Sequence, residues 1–453
     1  MGEPQSLLAF FRRVNSELGI DFPTSLELLS GVEAERVILS KVNTYFYQTH
    51  RGIGTTRFNE EEYEYFSEFH RYWQAHYQDI LDLKIDLLQA SRAAEGLAAA
   101  VSKYGRKILA IAQDTRGLAK QAVAQVRFFS ASQDFRAPPE NPYEKYLEDP
   151  TIFEPTQIES DPERLLKSLG SSRLSQNDKR IDFAKNSARF LREKGINAFQ
   201  IAEHFGSDAV RIRDSLVAST GIGFAEKKAN MFVRDMIELG VWPDLSSFDG
   251  IDVASDINTM KVGLRAGILK SSIPLLSSFL DIFGYQYAAV DRLSAAAWRK
   301  VWEEWREVDP ATAPVSPCQM DYLLYRIGRE YCKAFVAEYR CSKNHRFLHF
   351  GTKVRRCREC AKHELQSELG IERTALPCQF ESATLPREGD RLLLDRDNLL
   401  WLFDGICPLE IACGPKHPTF RPFDPPKSIS VLGQTSWTNS TADSELGGGG
   451  MMG

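Results

Sequence analysis

The sequence predicts a mostly α-helical protein with a small, partly β module towards the C-terminus. Two observations lead to this fold class. Apolar residues recur at three- and four-residue spacing through residues 60–113, which contain no proline, and this pattern is typical of amphipathic helices. All eight cysteines lie between Cys318 and Cys413, and the first β-prone alternation is expected only near residue 345.

Length, charge and composition narrow the class of protein. The chain has 453 residues, enough for two or three domains, and an ordinary soluble composition with a formal net charge of −5. A nucleic-acid-binding face would therefore need a local concentration of basic residues. No apolar run reaches the ~18 residues that predict a membrane span, and the N-terminus lacks the features of a secretory signal. We expect a cytoplasmic protein with no membrane partner.

Changes in composition predict the order of segments along the chain. Residues 1–135 read as an N-terminal helical region, and repeated prolines and acidic residues in 136–170 predict a linker or long loop. Helical periodicity resumes in 171–335, which we expect to form the core. Residues 336–422 are the cysteine-rich module, and the polar, glycine-ending stretch 423–453 is expected to be disordered.

A short glycine turn joins two amphipathic stretches of the core. Gly221 and Gly223 flank one isoleucine, and a second amphipathic stretch with Lys227 and Lys228 near its start follows. Glycine permits positive φ and a close approach of the backbone to a ligand. The start of the next helix then offers unpaired amides and a positive dipole end. The pattern predicts a phosphate-binding hairpin that contacts DNA through Gly221, Gly223 and Lys228.

The residues after the hairpin resemble the helix-hairpin-helix DNA glycosylases, which include endonuclease III-like and 8-oxoguanine glycosylases. That superfamily carries G-x-G, then K-x-A, then V-D-x-H-x-x-R-V. Here Lys227-Lys228-Ala229 fits the second motif, and D-I-N-T-M-K-V from Asp256 to Val262 fits the third, with Asn for His and Lys for Arg. Two extra residues separate Gly223 from the lysine, so a gapless alignment places Ala225 at the lysine position and implies an enzyme without a nucleophilic amine.

The resemblance implies two catalytic residues, Asp256 and Lys227. Breaking an N-glycosidic bond builds positive charge on the sugar, which a nearby carboxylate such as Asp256 stabilises. The Lys227 amine is then the candidate that attacks C1′ and forms a Schiff base, and the adjacent Lys228 cation favours its unprotonated form. The alternative is that Asp256 only caps the following helix and that both lysines are solvated.

Four metal-ligating side chains have the spacing of a zinc site. Cys341 and His345 form C-x3-H, and Cys357 and Cys360 form C-x2-C, joined by a short basic connector. Such sets suit tetrahedral zinc. The alternatives are a group of inert thiols or a ligand set that includes His349 or His363.

Endonuclease III-like proteins also carry an iron–sulfur loop, with G-R-x-x-C followed by C-x-x-C-P-L-x-x-x-C. Here G-R-E-Y precedes Cys332, and Cys407-Pro-Leu begins a run that ends at Cys413, whereas Asp404 stands where the second cysteine is expected. The resemblance therefore implies a [4Fe–4S] cluster held by Cys332, Cys378, Cys407 and Cys413. A second zinc on Cys378, Cys407, Cys413 and His417 stays an alternative, and Cys318 is expected in the core.

The function that the resemblance implies is excision of a modified or damaged base from double-stranded DNA by a monomeric enzyme that flips the nucleotide out of the stack. Long, divergent members of the superfamily include bacterial phage-defence glycosylases, which remove glucosylated hydroxymethylcytosine, and this chain is similar in length and divergence. Two other classes remain open. One is an N-glycosidase on a free nucleotide or nucleoside, as in queuosine salvage. The other is a non-catalytic DNA-binding protein with a zinc site and a hairpin.

Overall fold

The structure is a computed structural model, and it divides the chain into two compact units. It describes residues 12, 15–16, 54–58, 61–65, 82–111, 114–133, 141–170, 177–271, 287–332, 336–341, 343–350, 380–384, 387–388, 391–392, 403 and 406–413. The unit that we call the hairpin unit comprises Tyr104–Asp256 and Asp309–Leu323. The unit that we call the thiol unit comprises Met1–Lys103, Ile257–Val308 and Leu324–Gly447.

The described residues are mostly helical, which confirms the predicted fold class at that level. In chain order the α-helices are α1 (Leu87–Tyr104), α2 (Lys120–Gln133), α3 (Pro142–Glu148), α4 (Pro155–Ser160), α5 (Pro162–Ser168), α6 (Asn177–Lys194), α7 (Ile201–His204), α8 (Ala209–Ala218), α9 (Glu226–Glu238), α10 (Ile257–Arg265), α11 (Tyr287–Val308), α12 (Asp321–Arg326) and α13 (Glu410–Cys413). Short 3₁₀ turns lie at Arg106–Ile108, Pro150–Phe153, Ala198–Gln200, Phe248–Gly250 and Pro317–Met320, and a π-helical turn lies at Ile327–Tyr331.

The strands are short and pair in four small antiparallel sheets within the described part of the chain. They are β1 (Gly54–Phe58), β2 (Glu61–Tyr65), β3 (Lys84–Ile85), β4 (Leu269–Lys270), β5 (Val336–Cys341), β6 (Arg346–Phe350), β7 (Phe380–Thr384), β8 (Arg387–Glu388) and β9 (Arg391–Leu392). The pairs are β1 with β2, β3 with β4 and β8 with β9, and β5 lies between β6 and β7 in a three-stranded sheet. The partly β character predicted for residues 336–422 is therefore confirmed where the structure describes them.

The prediction that no strand precedes residue 345 was wrong. β1 and β2 form an antiparallel hairpin in which Gly54 lies opposite Tyr65 and Phe58 opposite Glu61. The sequence E-E-Y-E-Y alternates with a period of two, and tyrosine favours strands. This local alternation outweighs the longer three- and four-residue pattern with which it overlaps.

The segment 136–170, predicted to be a linker or long loop, instead carries short helices from residue 142 to residue 168. Each begins with a proline at its first position, where the missing amide would have no helical partner: Pro142, Pro150, Pro155 and Pro162. Side chains of Asn141, Asp149 and Asp161 accept hydrogen bonds from first-turn amides. Because Phe153 and Leu165 are fully buried, the segment belongs to the core of the hairpin unit.

Aromatic rings from several helices form the core of the hairpin unit. The ring centroids of Phe128 on α2 and Phe224 before α9 lie 5.3 Å apart in a stacked arrangement. Phe232 on α9 meets Phe128 at 5.7 Å and Trp242 at 5.4 Å, both edge to face. Burying each such ring stabilises the fold by about 1.5–3 kcal/mol. Cys318 also packs in this core, as predicted, with 1% of its surface exposed.

In the thiol unit, α10 packs closely against the π-helical turn and α11. A Cβ placed on Gly328 would lie 2.8 Å from the backbone oxygen of Asn258, so only glycine allows this approach. The indole Nε1 of the fully buried Trp298 on α11 donates to the carbonyl of Thr259 at 3.3 Å. The glycine of the G-R-E-Y-C run therefore has a packing reason within this unit.

Candidate active site at the glycine hairpin

The hairpin between α8 and α9 depends on both of its glycines. Gly221 has φ 77° and Gly223 has φ 83°, conformations that residues with a Cβ rarely adopt. A Cβ on Gly223 would also lie 2.7 Å from the Ser132 carbonyl oxygen. Ile222 and Phe224 are buried, so the side chains that alternate with the glycines anchor the turn in the core. The hairpin is therefore a rigid part of the unit.

The start of α9, where the sequence predicts an anion site, has no side-chain cap. The helix begins at Glu226, and the preceding Ala225 provides no side-chain cap. First-turn amides without a side-chain acceptor, together with the helix dipole, favour a bound anion. On α6, Asn186 Nδ2 donates to the Gly221 carbonyl at 3.2 Å, and the exposed Arg189 reaches Asn186 Oδ1 at 3.4 Å. A guanidinium therefore lies beside the hairpin.

The two lysines of the hairpin have different surroundings. Lys228 Nζ donates to the Ser132 carbonyl at 2.8 Å and lies 5.6 Å from the centre of the Phe183 ring. These contacts tie α9 to α2 and α6, and the role of Lys228 in DNA binding stays a prediction. Lys227 is the second residue of α9, and its half-buried side chain acts electrostatically on Asp321. Between Gly223 and Lys227 lie Phe224, which packs in the core, Ala225, which precedes the helix, and Glu226, the first helical residue.

Asp256 immediately precedes α10 and is half-buried. The segment that leads to it is held at Ile251, whose carbonyl accepts hydrogen bonds from Cys318 N at 3.2 Å and from Ser316 Oγ at 3.0 Å. These bonds join the segment 251–256 to the turn that leads into Asp321. Asp256 therefore stands near a second carboxylate that the sequence did not single out.

A chain of buried charges lies behind these residues. Arg127 Nε donates to Asp235 Oδ2 at 2.6 Å, and Arg234 donates to Asp235 Oδ1 from Nε at 2.9 Å and from Nη2 at 2.6 Å. Arg234 Nη1 also donates to Asp321 Oδ2. The Asp235 side chain is fully buried, and that of Asp321 keeps 11% of its surface exposed. The chain runs from α2 through α9 to the start of α12.

The two buried aspartates of this chain titrate in opposite directions. Burial would raise the pKa of Asp235, but Arg234 and Arg127 outweigh it and leave that pKa below its ordinary value. Burial raises the pKa of Asp321 to about 6, with Arg234 opposing the shift and Asp256 adding to it, while Lys227 opposes it and Asp235 adds to it. Asp321 thus responds to both predicted catalytic residues, and all three belong to the hairpin unit.

The sequence analysis missed Asp321, Arg234, Asp235 and Arg127. One signal was present, because Arg234 and Asp235 stand among Phe232, Val233 and Met236, which are all buried. Charged residues within the apolar stripe of a helix are expected to be paired. Their partners lie 108 and 87 positions away along the chain, so the pattern could not identify them.

The thiol unit brings together three of the four cysteines assigned to the iron–sulfur cluster. Burial, then Cys413 and Cys332, raises the pKa of the Cys407 thiol well above its ordinary value. Burial and then Cys332 raise the pKa of the Cys413 thiol, and the Arg265 cation on α10 opposes the shift. Arg265 also donates to the Cys332 carbonyl at 3.0 Å. The thiols are close enough to interact. Cys378, the predicted fourth ligand, and His417 of the rival zinc set lie outside the described residues.

The predicted zinc set lies only partly in the described chain. Cys341 ends β5, and His345 lies in the connection to β6. Cys357 and Cys360 lie outside the described residues, as do the alternative ligand His363 and the tail after residue 423. Within the part of the chain that the structure describes, no group of three or more His, Cys, Asp or Glu side chains is arranged to hold a metal ion.

No protein-family model and no curated protein matches this chain. Among the described helices, none has the length and apolar character needed to cross a membrane. The case for a function therefore rests on the hairpin, the two predicted catalytic residues and the buried carboxylate beside them.

Proposed function

We propose that this protein is a DNA glycosylase that cleaves the N-glycosidic bond of a modified base. One observation carries the proposal. Lys227 at the start of α9 and Asp256 before α10 both act on the buried Asp321, within the unit that presents the glycine hairpin. A carboxylate and an amine are the groups that a DNA glycosylase with a covalent intermediate uses, and helix-start amides suit a DNA phosphate.

Each part of the site has a role in this chemistry. The amides of the hairpin and of the first turn of α9 bind a backbone phosphate, with Arg189 adding positive charge. The flipped nucleotide then places its sugar between Asp256 and Lys227. Asp256 stabilises the positive charge that develops on the sugar as the base departs. The Lys227 amine attacks C1′ and forms the covalent intermediate.

The proposed substrate is double-stranded DNA that carries a modified base. The resemblance to phage-defence glycosylases favours hypermodified cytosine, with a glucosylated hydroxymethyl group, as the base that is excised. The protein should therefore act on DNA from a phage with that modification and leave unmodified DNA of the same sequence intact. Mass spectrometry of the released bases measures this directly.

The Lys227 amine should be trapped on DNA by borohydride. We expect a covalent protein–DNA adduct during turnover, and Lys227→Gln should abolish it because the amide cannot form a Schiff base. Lys228→Gln is the matched control, because Lys228 is engaged with Ser132 and should not be the nucleophile. Denaturing gel electrophoresis separates the adduct from free DNA.

The trapping experiment also decides between the remaining readings of the hairpin. If intact abasic DNA accumulates and no adduct forms, the enzyme releases the base without an amine nucleophile. That outcome would support the alignment of Ala225 with the family lysine. If Lys228→Gln prevents trapping and Lys227→Gln does not, the nucleophile is Lys228. DNA binding with no release of any base would exclude a glycosylase, and release from free nucleosides only would assign an N-glycosidase.

We further propose that Cys332, Cys407 and Cys413, with Cys378, hold a [4Fe–4S] cluster and that Cys341, His345, Cys357 and Cys360 hold zinc. Support comes from the residue types, which are those of iron–sulfur and zinc sites, and from the mutual influence of Cys332, Cys407 and Cys413 on their pKa values. The bound metals would couple folding to ligation.

Anaerobically purified protein should be brown and contain about one zinc per chain. Cys407→Ser should remove the colour and retain zinc, whereas Cys341→Ser should remove zinc and retain the colour. Elemental analysis with absorption spectra distinguishes these outcomes. A colourless protein with about two zincs would instead support the set that includes His417.

A further inference from the structure

We propose that Asp321 is a catalytic residue that carries a proton between Lys227 and the departing base. The inference rests on the proposed function and assigns a role to a residue outside the sequence motifs. Three features of the hairpin unit lead to it: a carboxylate held in place by a buried arginine, a buried amide oxygen on the helix face that carries this arginine, and the charge of the groups around the carboxylate.

The first feature is the fixed position of the Asp321 carboxylate. Arg234 Nη1 holds Oδ2, and Arg234 is itself held by Asp235, which Arg127 also binds. The 3₁₀ turn before Asp321 is bonded to the Ile251 carbonyl, in the segment that leads to Asp256. Asp321 Oδ1 accepts no hydrogen bond from the described residues, and the side chain keeps 11% of its surface exposed. One oxygen is thus fixed and the other can accept a proton.

The second feature is Asn230. Residues three, four and seven apart on a helix share a face, so Asn230 lies on the same face of α9 as Lys227 and Arg234. Asn230 is 2% exposed, and its Oδ1 has no hydrogen-bond partner among the described residues. A buried amide oxygen requires a donor. The face of α9 that carries Lys227 and Arg234 therefore has a buried acceptor that a proton donor can satisfy.

The third feature is the charge around Asp321. The groups that act on it, or on which it acts, are Arg234, Asp256, Lys227, Asp235 and Cys318. Burial raises the pKa of the Cys318 thiol, which therefore stays neutral. Burial, opposed by Arg234, gives Asp321 a pKa of about 6, close to the range in which a side chain can both accept and return a proton.

The proton transfer balances without a further reactant. The Asp321 carboxylate accepts one proton from the Lys227 ammonium. The freed lone pair forms the bond from the amine nitrogen to C1′, while the glycosidic bond breaks and its electron pair leaves with the base. The proton then passes from Asp321 to the departing base, which regenerates the carboxylate. The Lys227 nitrogen is positively charged as the ammonium, neutral as the free amine, and positively charged again once it is bonded to C1′.

The first test is the pH profile of adduct formation in single turnovers of the whole protein. In the wild type, the rate should rise about tenfold per pH unit up to about pH 6 and then level off, because Asp321 must be ionised. Asp321→Asn should lower the plateau by about a hundredfold and remove this acid limb. Asp244→Asn, at an exposed aspartate of the same unit, is the matched control and should keep the wild-type profile.

The second test measures the titration of Asp321 independently of activity. Asp321 binds its proton more tightly in the folded chain than in the unfolded chain, where its pKa is near 3.8. Stability from this group is therefore greatest below pH 4 and falls as the pH rises to about 6. Relative to Asp321→Asn, the folded-to-unfolded ratio of the wild type should fall about a hundredfold over that interval, as measured by urea unfolding.

Each outcome has a separate meaning. An acid limb that persists unchanged in Asp321→Asn would overturn the proton-carrying role while base release itself stood. A wild type that gains stability relative to Asp321→Asn from pH 4 to 6 would also overturn it, because Asp321 would then be an ordinary paired carboxylate. A wild type that releases no base, yet shows the expected unfolding difference, would contradict the glycosylase proposal and not the titration of Asp321.

Discussion

Asp256→Asn should lower the single-turnover rate of base release by about 10²–10³-fold and leave the affinity for DNA nearly unchanged. The expected loss follows from charge, because in the proposed role only an ionised carboxylate would stabilise the sugar cation. Asparagine has almost the same shape and keeps the hydrogen-bonding oxygen. Rates of base release at saturating enzyme, together with DNA titrations by fluorescence anisotropy, measure the two effects separately.

The same substitution separates catalysis from helix capping. Asp256 precedes the first residue of α10, and asparagine caps helices about as well as aspartate does. A residue that served only as a cap would therefore tolerate Asp256→Asn and lose stability only in Asp256→Ala. Asp249→Asn, at an exposed position shortly before it in the chain, provides the control for a lost surface charge. A rate within tenfold of the wild type in Asp256→Asn would remove this residue from the mechanism.

The sequence predicted the hairpin correctly because local physics determines it. Gly221 and Gly223 have positive φ, and Gly223 also approaches the Ser132 carbonyl too closely for any Cβ. A backbone conformation of this kind requires glycine, whichever elements pack around the turn. The start of α9 beside Lys227 is likewise visible in the helical periodicity. Local constraints of this kind can be read without knowing what packs against them.

Two local patterns were misread because the same residues suit more than one structure. Prolines and acids in 136–170 are typical of loops, yet here they mark first helical positions and caps, and burial of Phe153 and Leu165 decides the outcome. The pairing of β1 with β2 also depends on tertiary context, because a five-residue alternation is weak evidence beside a longer helical pattern.

The electrostatic part of the site could not be predicted from local pattern. Arg127, Asp235 and Asp321 come from α2, α9 and the start of α12, so their pairing follows from packing between segments that are distant along the chain. The convergence of Cys332 with Cys407 and Cys413 was expected only through the family resemblance. A charged pair inside an apolar helix stripe shows that partners exist but does not say which they are.

The largest effect on stability should come from Asp235, the centre of the buried charges. Asp235→Asn should reduce the free energy of unfolding by about 3–5 kcal/mol at neutral pH, because it removes the carboxylate that accepts from both the Arg127 and the Arg234 guanidinium groups and leaves the buried group with an excess positive charge. Asp214→Asn removes the carboxylate of a more exposed ion pair with Arg213 and should cost no more than about 1 kcal/mol. Urea unfolding of both variants measures the difference.

Acid should reduce the difference in stability between the wild type and Asp235→Asn. The pKa of Asp235 lies below its ordinary value in the folded chain, so its stabilising contribution is present above pH 4 and is lost as the pH falls through the folded pKa. Wild type and Asp235→Asn should therefore converge in stability only in strong acid, where the carboxylate that balances the two arginines is protonated in both states. An Asp235→Asn variant that loses no more stability than Asp214→Asn at neutral pH would show that Asp235 is not the principal counter-charge of the buried arginines.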